Sequence, residues 1–141
     1  MLELTQSFEF SASHRLACPG LSEEENHRLF GKCSNVHGHG HNYILEVGAS
    51  ANEKAISSLL PELDRIVRRE IIERFDHKNL NVECAEFAEL NPTVENIAQV
   101  IFDRLERELE AGRLRKVRVW ETAKTYAECT SASVKCPGPT R

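Results

Sequence analysis

Three of the six histidines fall within five residues, in Asn35-Val36-His37-Gly38-His39-Gly40-His41-Asn42-Tyr43. Where the end of this run is extended, His39 and His41 point to one side, roughly 6–7 Å apart along the strand. Two imidazoles at that spacing can chelate one Zn²⁺ ion at about 2.0–2.1 Å per bond. The glycines between them let other backbone or a ligand come close. A third ligand must come from elsewhere. His14 qualifies, because it ends a run in which Phe8, Phe10, Ala12 and His14 alternate against Glu9, Ser11 and Ser13. Three neutral imidazoles leave a fourth position open, the pattern of a catalytic rather than a structural metal site. A solvated Gly/His loop is the other reading of these residues.

Three further features surround this cluster. Cys33 lies just before it, in Phe30-Gly31-Lys32-Cys33. Neighbouring Lys32 and a nearby cation would lower its thiol pKa and favour thiolate. It is then a base, a nucleophile or a fourth ligand that closes the site; a small buried residue is the plainer reading. In Asp76-His77, a carboxylate beside an imidazole can tune it as a proton relay, or the pair can simply end a helix. In Val117-Arg118-Val119-Trp120-Glu121-Thr122, period two puts Glu121 on the buried Val117/Val119 face. A buried carboxylate needs donors. Either an arginine supplies them, or a ligand with two parallel N–H groups does, such as the 2-amino-pyrimidinone edge of a guanine or pterin. Glu95 reads as an ordinary first-turn acid favoured by the helix dipole.

The elements that must position these groups follow from periodicity. Leu4–His14 and Asn42–Ala51 alternate as strands, as do Arg115–Thr122 and Thr125–Ser131. Ser57–Phe75 repeats apolar residues at three-to-four spacing, with Pro61 in its first turn. A second helix follows Thr93 as N-cap and ends at Gly112. Between Ala17 and Lys32 the chain is polar, with at most a short helix capped by Ser22. Strands and helices in blocks predict an α+β fold with an antiparallel sheet and helices on one face. The 141 residues make one domain, expected over 1–134, with a frayed tail over 135–141. A net charge of −4 argues against a dedicated nucleic-acid binder. The first residues show no basic and apolar signal pattern, and five cysteines without a CxxC pair predict reduced thiols in a cytoplasm. A domain this small has little depth for a private polar pocket, so a site shared between subunits is expected.

Phe10-Ser-Ala-Ser-His14-Arg-Leu16, Ser22-Glu-Glu-Glu-Asn26, Phe30-Gly-Lys-Cys33, Gly38-His-Gly-His41-Asn-Tyr43, Asp76-His-Lys-Asn-Leu80, Pro92-Thr-Val-Glu-Asn96 and Val117-Arg-Val-Trp-Glu121-Thr122 occur in that order. Together, from about Phe8 to Tyr126, they resemble the 6-pyruvoyl-tetrahydropterin synthase family. The resemblance implies the tunnelling fold, a four-stranded antiparallel sheet with two helices on one side. Three such subunits close a barrel, and two trimers stack into a hexamer. It implies elimination of triphosphate from 7,8-dihydroneopterin triphosphate, with side-chain rearrangement to 6-pyruvoyl-tetrahydropterin. It implies zinc on His14, His39 and His41, a proton-transfer role for Cys33 with the Asp76-His77 pair, a pterin anchor in Glu121, and pterin contacts at Thr93 and Val94.

A sister enzyme, 6-carboxy-tetrahydropterin synthase, uses the same substrate and releases acetaldehyde. Its cysteine typically stands three residues before the His-Gly-His, against five in the pyruvoyl enzymes. This chain contains both spacings, Cys33-x₃-His37-Gly-His39 and Cys33-x₅-His39-Gly-His41. Asn42-Tyr43 and the long Ser22–Lys32 segment favour the second, which leaves His37 beside the site. A non-catalytic zinc or pterin module built on Cys33, His37, His39 and His41 is the reading outside enzymes. Ala51–Glu62 departs from the family pattern, and Arg15, Arg28 and Lys32 are candidates for the triphosphate.

Overall fold

The computed structural model describes residues 1–131; the expected domain limit at 134 and the tail over 135–141 lie outside the described residues. The strands are β1 (Leu2–His14), β2 (His39–Ala51), β3 (Lys78–Asn79), β4 (Leu114–Thr122) and β5 (Thr125–Thr130). The α-helices are α1 (Glu23–Phe30), α2 (Ile56–Val67), α3 (Glu73–Phe75), α4 (Leu80–Glu83) and α5 (Val94–Glu108).

The α+β class is as expected, but the sheet is five-stranded and mixed, in the order β3-β1-β2-β4-β5. The four long strands pair antiparallel. The addition is β3, which runs parallel to β1 through Ala12↔Lys78 and Ser13↔Asn79. Two residues are too short to leave a period-two signal. A backbone turn delivers them: His77 takes φ 59 and its N–H donates to the Ser11 carbonyl at 2.6 Å.

The predicted helix over Ser57–Phe75 is real in extent but not uniform. α2 widens into a π turn at Arg68–Ile72 before α3 completes it. Pro61 lies inside α2, past the first turn, and Asn52 starts the helix by accepting the Lys54 and Ala55 N–H groups. α5 begins at Thr93, whose Oγ1 accepts the Asn96 N–H at 3.2 Å. It stops at Glu108; Gly112, at φ 81, turns the chain into β4 instead. Ser22 caps α1 through a reciprocal pair with Glu25, which is worth about 1 kcal/mol.

α2 and α5 cover one face of the sheet. Leu59, Leu63, Ile66, Ile97, Ile101, Phe102 and Leu105 meet Phe10, Tyr43, Leu45, Val47, Val117 and Val119, and all are buried. Each such side chain contributes roughly 1.5–3 kcal/mol by leaving water. The β1–β2 register pairs Phe10 with Tyr43, Ala12 with His41 and His14 with His39. The apolar stripe therefore runs straight into histidines at one end of the core.

Candidate metal centre

Alternation alone brings the three histidines together. His14 ends the buried stripe of β1, and His39 and His41 open the same face of β2. The His39 Nε2 lies 3.3 Å from the His14 Nε2 and 3.0 Å from the His41 Nε2. The Cys33 Sγ lies 3.4 Å from the same nitrogen. One ligand atom from each of these four residues falls within 4.8 Å of the others. Tetrahedral ligands at about 2.0–2.1 Å from a metal stand about 3.3 Å apart, so the spacing suits one ion.

The chemistry of the donors fits as well. His14 is fully buried, and its Nδ1 meets the Pro92 carbonyl at 2.9 Å and the Tyr43 hydroxyl at 3.3 Å. The carbonyl can only accept, which places the proton on Nδ1 and leaves the Nε2 lone pair facing its neighbours. Burial and the neighbouring histidines outweigh the Pro92 bond and push His14 down to about 4; burial and His39 likewise lower His41. Neutral imidazole lone pairs converging on one point repel one another unless a cation lies between them.

Cys33 departs from expectation. Burial, and then the Glu121 charge, push its thiol up rather than down. Lys32 is exposed and makes no contact with it among the described residues, so sequence adjacency does not deliver its charge. A cation held in the cluster would favour the thiolate.

Glu121 sits where period two put it, two residues beyond Val119 at the cluster end of β4. Its Oε1 lies 3.3 Å from the His41 Nε2, and no arginine or lysine pairs with it among the described residues. Burial, then the Glu95 charge, raise its pKa, with His39 opposing. A largely buried carboxylate with one imidazole partner is a group awaiting donors. Glu95, a first-turn acid by its pattern, is brought by the fold to bear its charge on Glu121, which no local pattern encodes. Thr93 and Val94 adjoin Pro92, whose carbonyl holds His14, so the start of α5 lies beside the cluster.

The Asp76–His77 pair is elsewhere. The His77 Nδ1 lies 2.9 Å from an Asp76 oxygen, and the other Asp76 oxygen accepts the Ser11 N–H at 2.9 Å. That Ser11 bond, above all, holds the Asp76 carboxyl below its ordinary range. The His77 side chain is 82% exposed and borders an open depression lined by Ser11, Ser13, His41, Asn42 and Lys78, so this depression reaches one histidine of the cluster. No contact joins the pair to Cys33 among the described residues. His37 is also apart: it is exposed and outside the four-residue group, its N–H donating to Asn35 Oδ1 at 3.1 Å. Sequence reasoning did not anticipate Tyr43 and Pro92 as supports of His14. The i, i+2 step from His41 to Tyr43 was the available signal for the first.

A family model described as 6-pyruvoyl tetrahydropterin synthase matches residues 3–132. A human protein named 6-pyruvoyl tetrahydrobiopterin synthase is 41% identical over 123 residues, covering 85% of this chain and 85% of its own. A Rickettsia felis 6-carboxy-5,6,7,8-tetrahydropterin synthase is 24% identical over 149 residues, covering 91% and 99%. The solved structure of Caenorhabditis elegans 6-pyruvoyl tetrahydropterin synthase superposes with a TM-score of 0.83 at 30% identity, over 92% of this chain and 95% of that one.

Proposed function

The chain belongs to the 6-pyruvoyl tetrahydropterin synthase family and is a lyase of that type, and on this footing we propose that it converts 7,8-dihydroneopterin triphosphate to 6-pyruvoyl-tetrahydropterin with the loss of triphosphate. The observation that carries the reading is the convergence of His14, His39, His41 and Cys33 beside an under-satisfied Glu121. The three imidazole Nε2 atoms would hold Zn²⁺. A bound Zn²⁺ supplies Lewis acidity to the substrate's side-chain oxygens and stabilises charge that develops there. Glu121 accepts two N–H groups from the pterin edge and fixes the ring, with Thr93 and Val94 at its margin. This orientation brings the side chain to the cluster. The Cys33 Sγ, as thiolate, takes the C–H proton.

His77 and Asp76 then relay that proton, and the exposure of His77 supports a relay that serves a neighbouring chain. β5 has no further strand on its outer edge among the described residues, and β1 pairs on its outer side with β3 only at Ala12 and Ser13. Such open edges support closure of three subunits into a barrel and stacking of two barrels into a hexamer, with sites at the interfaces. No helix among the described residues is long and apolar enough to cross a membrane. A cytoplasmic location is the proposal that five cysteines without a CxxC pair support.

The carboxy-forming reaction is the second reading, favoured by the Cys33-x₃-His37 spacing. The non-catalytic module read on Cys33, His37, His39 and His41 loses its support, because His37 lies outside the four-residue group. One experiment separates the two reactions. The zinc-loaded protein is incubated with 7,8-dihydroneopterin triphosphate and the products are identified. Pyruvoyl-tetrahydropterin is the expected outcome; acetaldehyde with 6-carboxy-tetrahydropterin selects the sister reaction, and no turnover removes both.

A further inference from the structure

We infer that the depression lined by His27, Gly31, Lys32, Asn35 and His39 receives the polyphosphate tail of the substrate, with Lys32 and His27 as its recognition residues. The inference rests on the proposed reaction and adds to it the place where the leaving group is held. The geometry and the charge of the lining carry it.

The depression borders the cluster at His39, the histidine whose Nε2 touches His14, His41 and Cys33 together. Glu121 meets the cluster at a different histidine, His41. A substrate whose ring is anchored at Glu121 and whose side chain crosses the cluster delivers its tail there. The lining contains no acid. Its polar side chains are also uncommitted among the described residues. Lys32 forms no ion pair, the His27 ring has no partner, and Asn35 uses only its carbonyl oxygen, toward the His37 N–H.

The two other cationic candidates are engaged elsewhere. Arg28 is paired with Glu24 at 2.8 Å on the exposed side of α1, and the Arg15 Nε donates to the Ser34 carbonyl at 3.0 Å. Gly31 and Gly38 both take positive φ, at 59 and 70, and a Cβ at Gly38 would lie 2.7 Å from the His14 carbonyl oxygen. The loop carrying Lys32 and Asn35 is therefore drawn tightly against the cluster.

The chemistry asks for such a group. As the C–H proton leaves to base, its electron pair forms the new C=C bond. The adjacent C–O bond breaks, and its pair departs on the triphosphate oxygen. Charge grows on the leaving group, so a lysine ammonium and imidazole and amide N–H donors at that position favour cleavage as well as binding.

Inorganic triphosphate is the probe. In the zinc-loaded wild-type enzyme it should compete with substrate. In Lys32→Ala, and more so in Lys32→Ala/His27→Ala, that inhibition should weaken about ten- to hundredfold, and kcat/KM should fall by a similar factor. Inhibition by neopterin, which lacks phosphate, should not change. Zinc content measured after each titration separates binding from chelation. Equal inhibition of wild type and double variant, or inhibition that tracks zinc loss, overturns the tail site. So does an unchanged kcat/KM. If the wild type does not turn over the substrate, the proposed reaction fails instead. Equilibrium binding of triphosphate to wild type and double variant then still decides the site: weaker binding by the variant supports it, and equal binding overturns it.

Discussion

Two ends of β1 chemistry stand in contrast. At His14 the strand hands its buried face to a cluster that could hold a metal ion: His14, His39, His41 and Glu121 all arrive by alternation along three paired strands. At Ser11, three residues away, the outer face and edge meet the Asp76–His77 pair, which is exposed and shares no contact with that cluster among the described residues. The four possible ligands of the first region all come from one chain. The second region is an exposed imidazole held by a carboxylate, on a depression whose rim reaches His41. The proposed reaction needs both regions, and the proposed oligomer is the way a neighbouring copy would join them.

The largest effect should come from the centre of the inner region. His39→Ala removes the nitrogen that touches both other histidines and Cys33. Bound zinc should fall to background and activity should drop by roughly a thousandfold or more, because a Lewis acid supplies several kcal/mol. Full zinc occupancy in this variant would remove His39 from the ligand set.

The outer region should respond differently. His77→Ala should keep its zinc yet lose about 10²–10⁴-fold in turnover, the usual worth of positioned proton transfer. Mixed oligomers of Cys33→Ala and His77→Ala then test whether the two regions meet between chains. Each parent should be inactive, and random mixing should restore about a quarter of the sites, where an intact Cys33 faces a neighbour's intact His77. No recovery in verified mixed oligomers would mean that the relay does not cross the interface.

The same contrast governs what was legible in the sequence. The inner cluster was readable because period two is a rule about faces: Phe8, Phe10, Ala12 and His14 declare one face, and Val117, Val119 and Glu121 declare another. The outer pair was readable as chemistry but not as a location. β3 is two residues long, and the positive φ of His77 that sets it beside β1 leaves no trace in composition. Cys33 marks the other limit. Its neighbour Lys32 suggested a lowered thiol pKa, but chain adjacency does not fix where a long exposed side chain goes. Burial, which local sequence states poorly, decides the direction.

pH separates the regions without mutation. In metal-free protein His14 titrates at about 4, below its ordinary 6.5, because it is buried. The unfolded chain therefore takes up this proton first. The stability is whole above about 6.5, falls as pH drops, and the loss levels off near 4, at most about 3 kcal/mol from this group. Asp76 is displaced downward among carboxylates, so what it contributes is lost only below its ordinary range of about 3.9, as pH falls through its lowered value. Melting temperatures of metal-free protein should fall between pH 7 and 4, and zinc should blunt that fall. A flat profile without metal would contradict the buried neutral His14.

The smallest effect concerns what holds the inner region in place. Tyr43 is fully buried, stacks on Phe10 with ring centroids 5.0 Å apart, and sets its hydroxyl 3.3 Å from the His14 Nδ1. Tyr43→Phe keeps the ring and the stacking and removes only that oxygen. The Pro92 carbonyl, closer at 2.9 Å, still accepts the Nδ1 proton and preserves the tautomer. Zinc affinity should therefore fall by no more than about tenfold, the lower end of what outer contacts to a metal-bound histidine are worth. The His77 relay, which shares no atom with this contact, should be untouched, so turnover at saturating zinc should match the wild type. A large loss of turnover with zinc fully bound would show that Tyr43 reaches the substrate side of the cluster, and the separation of the two regions would have to be redrawn.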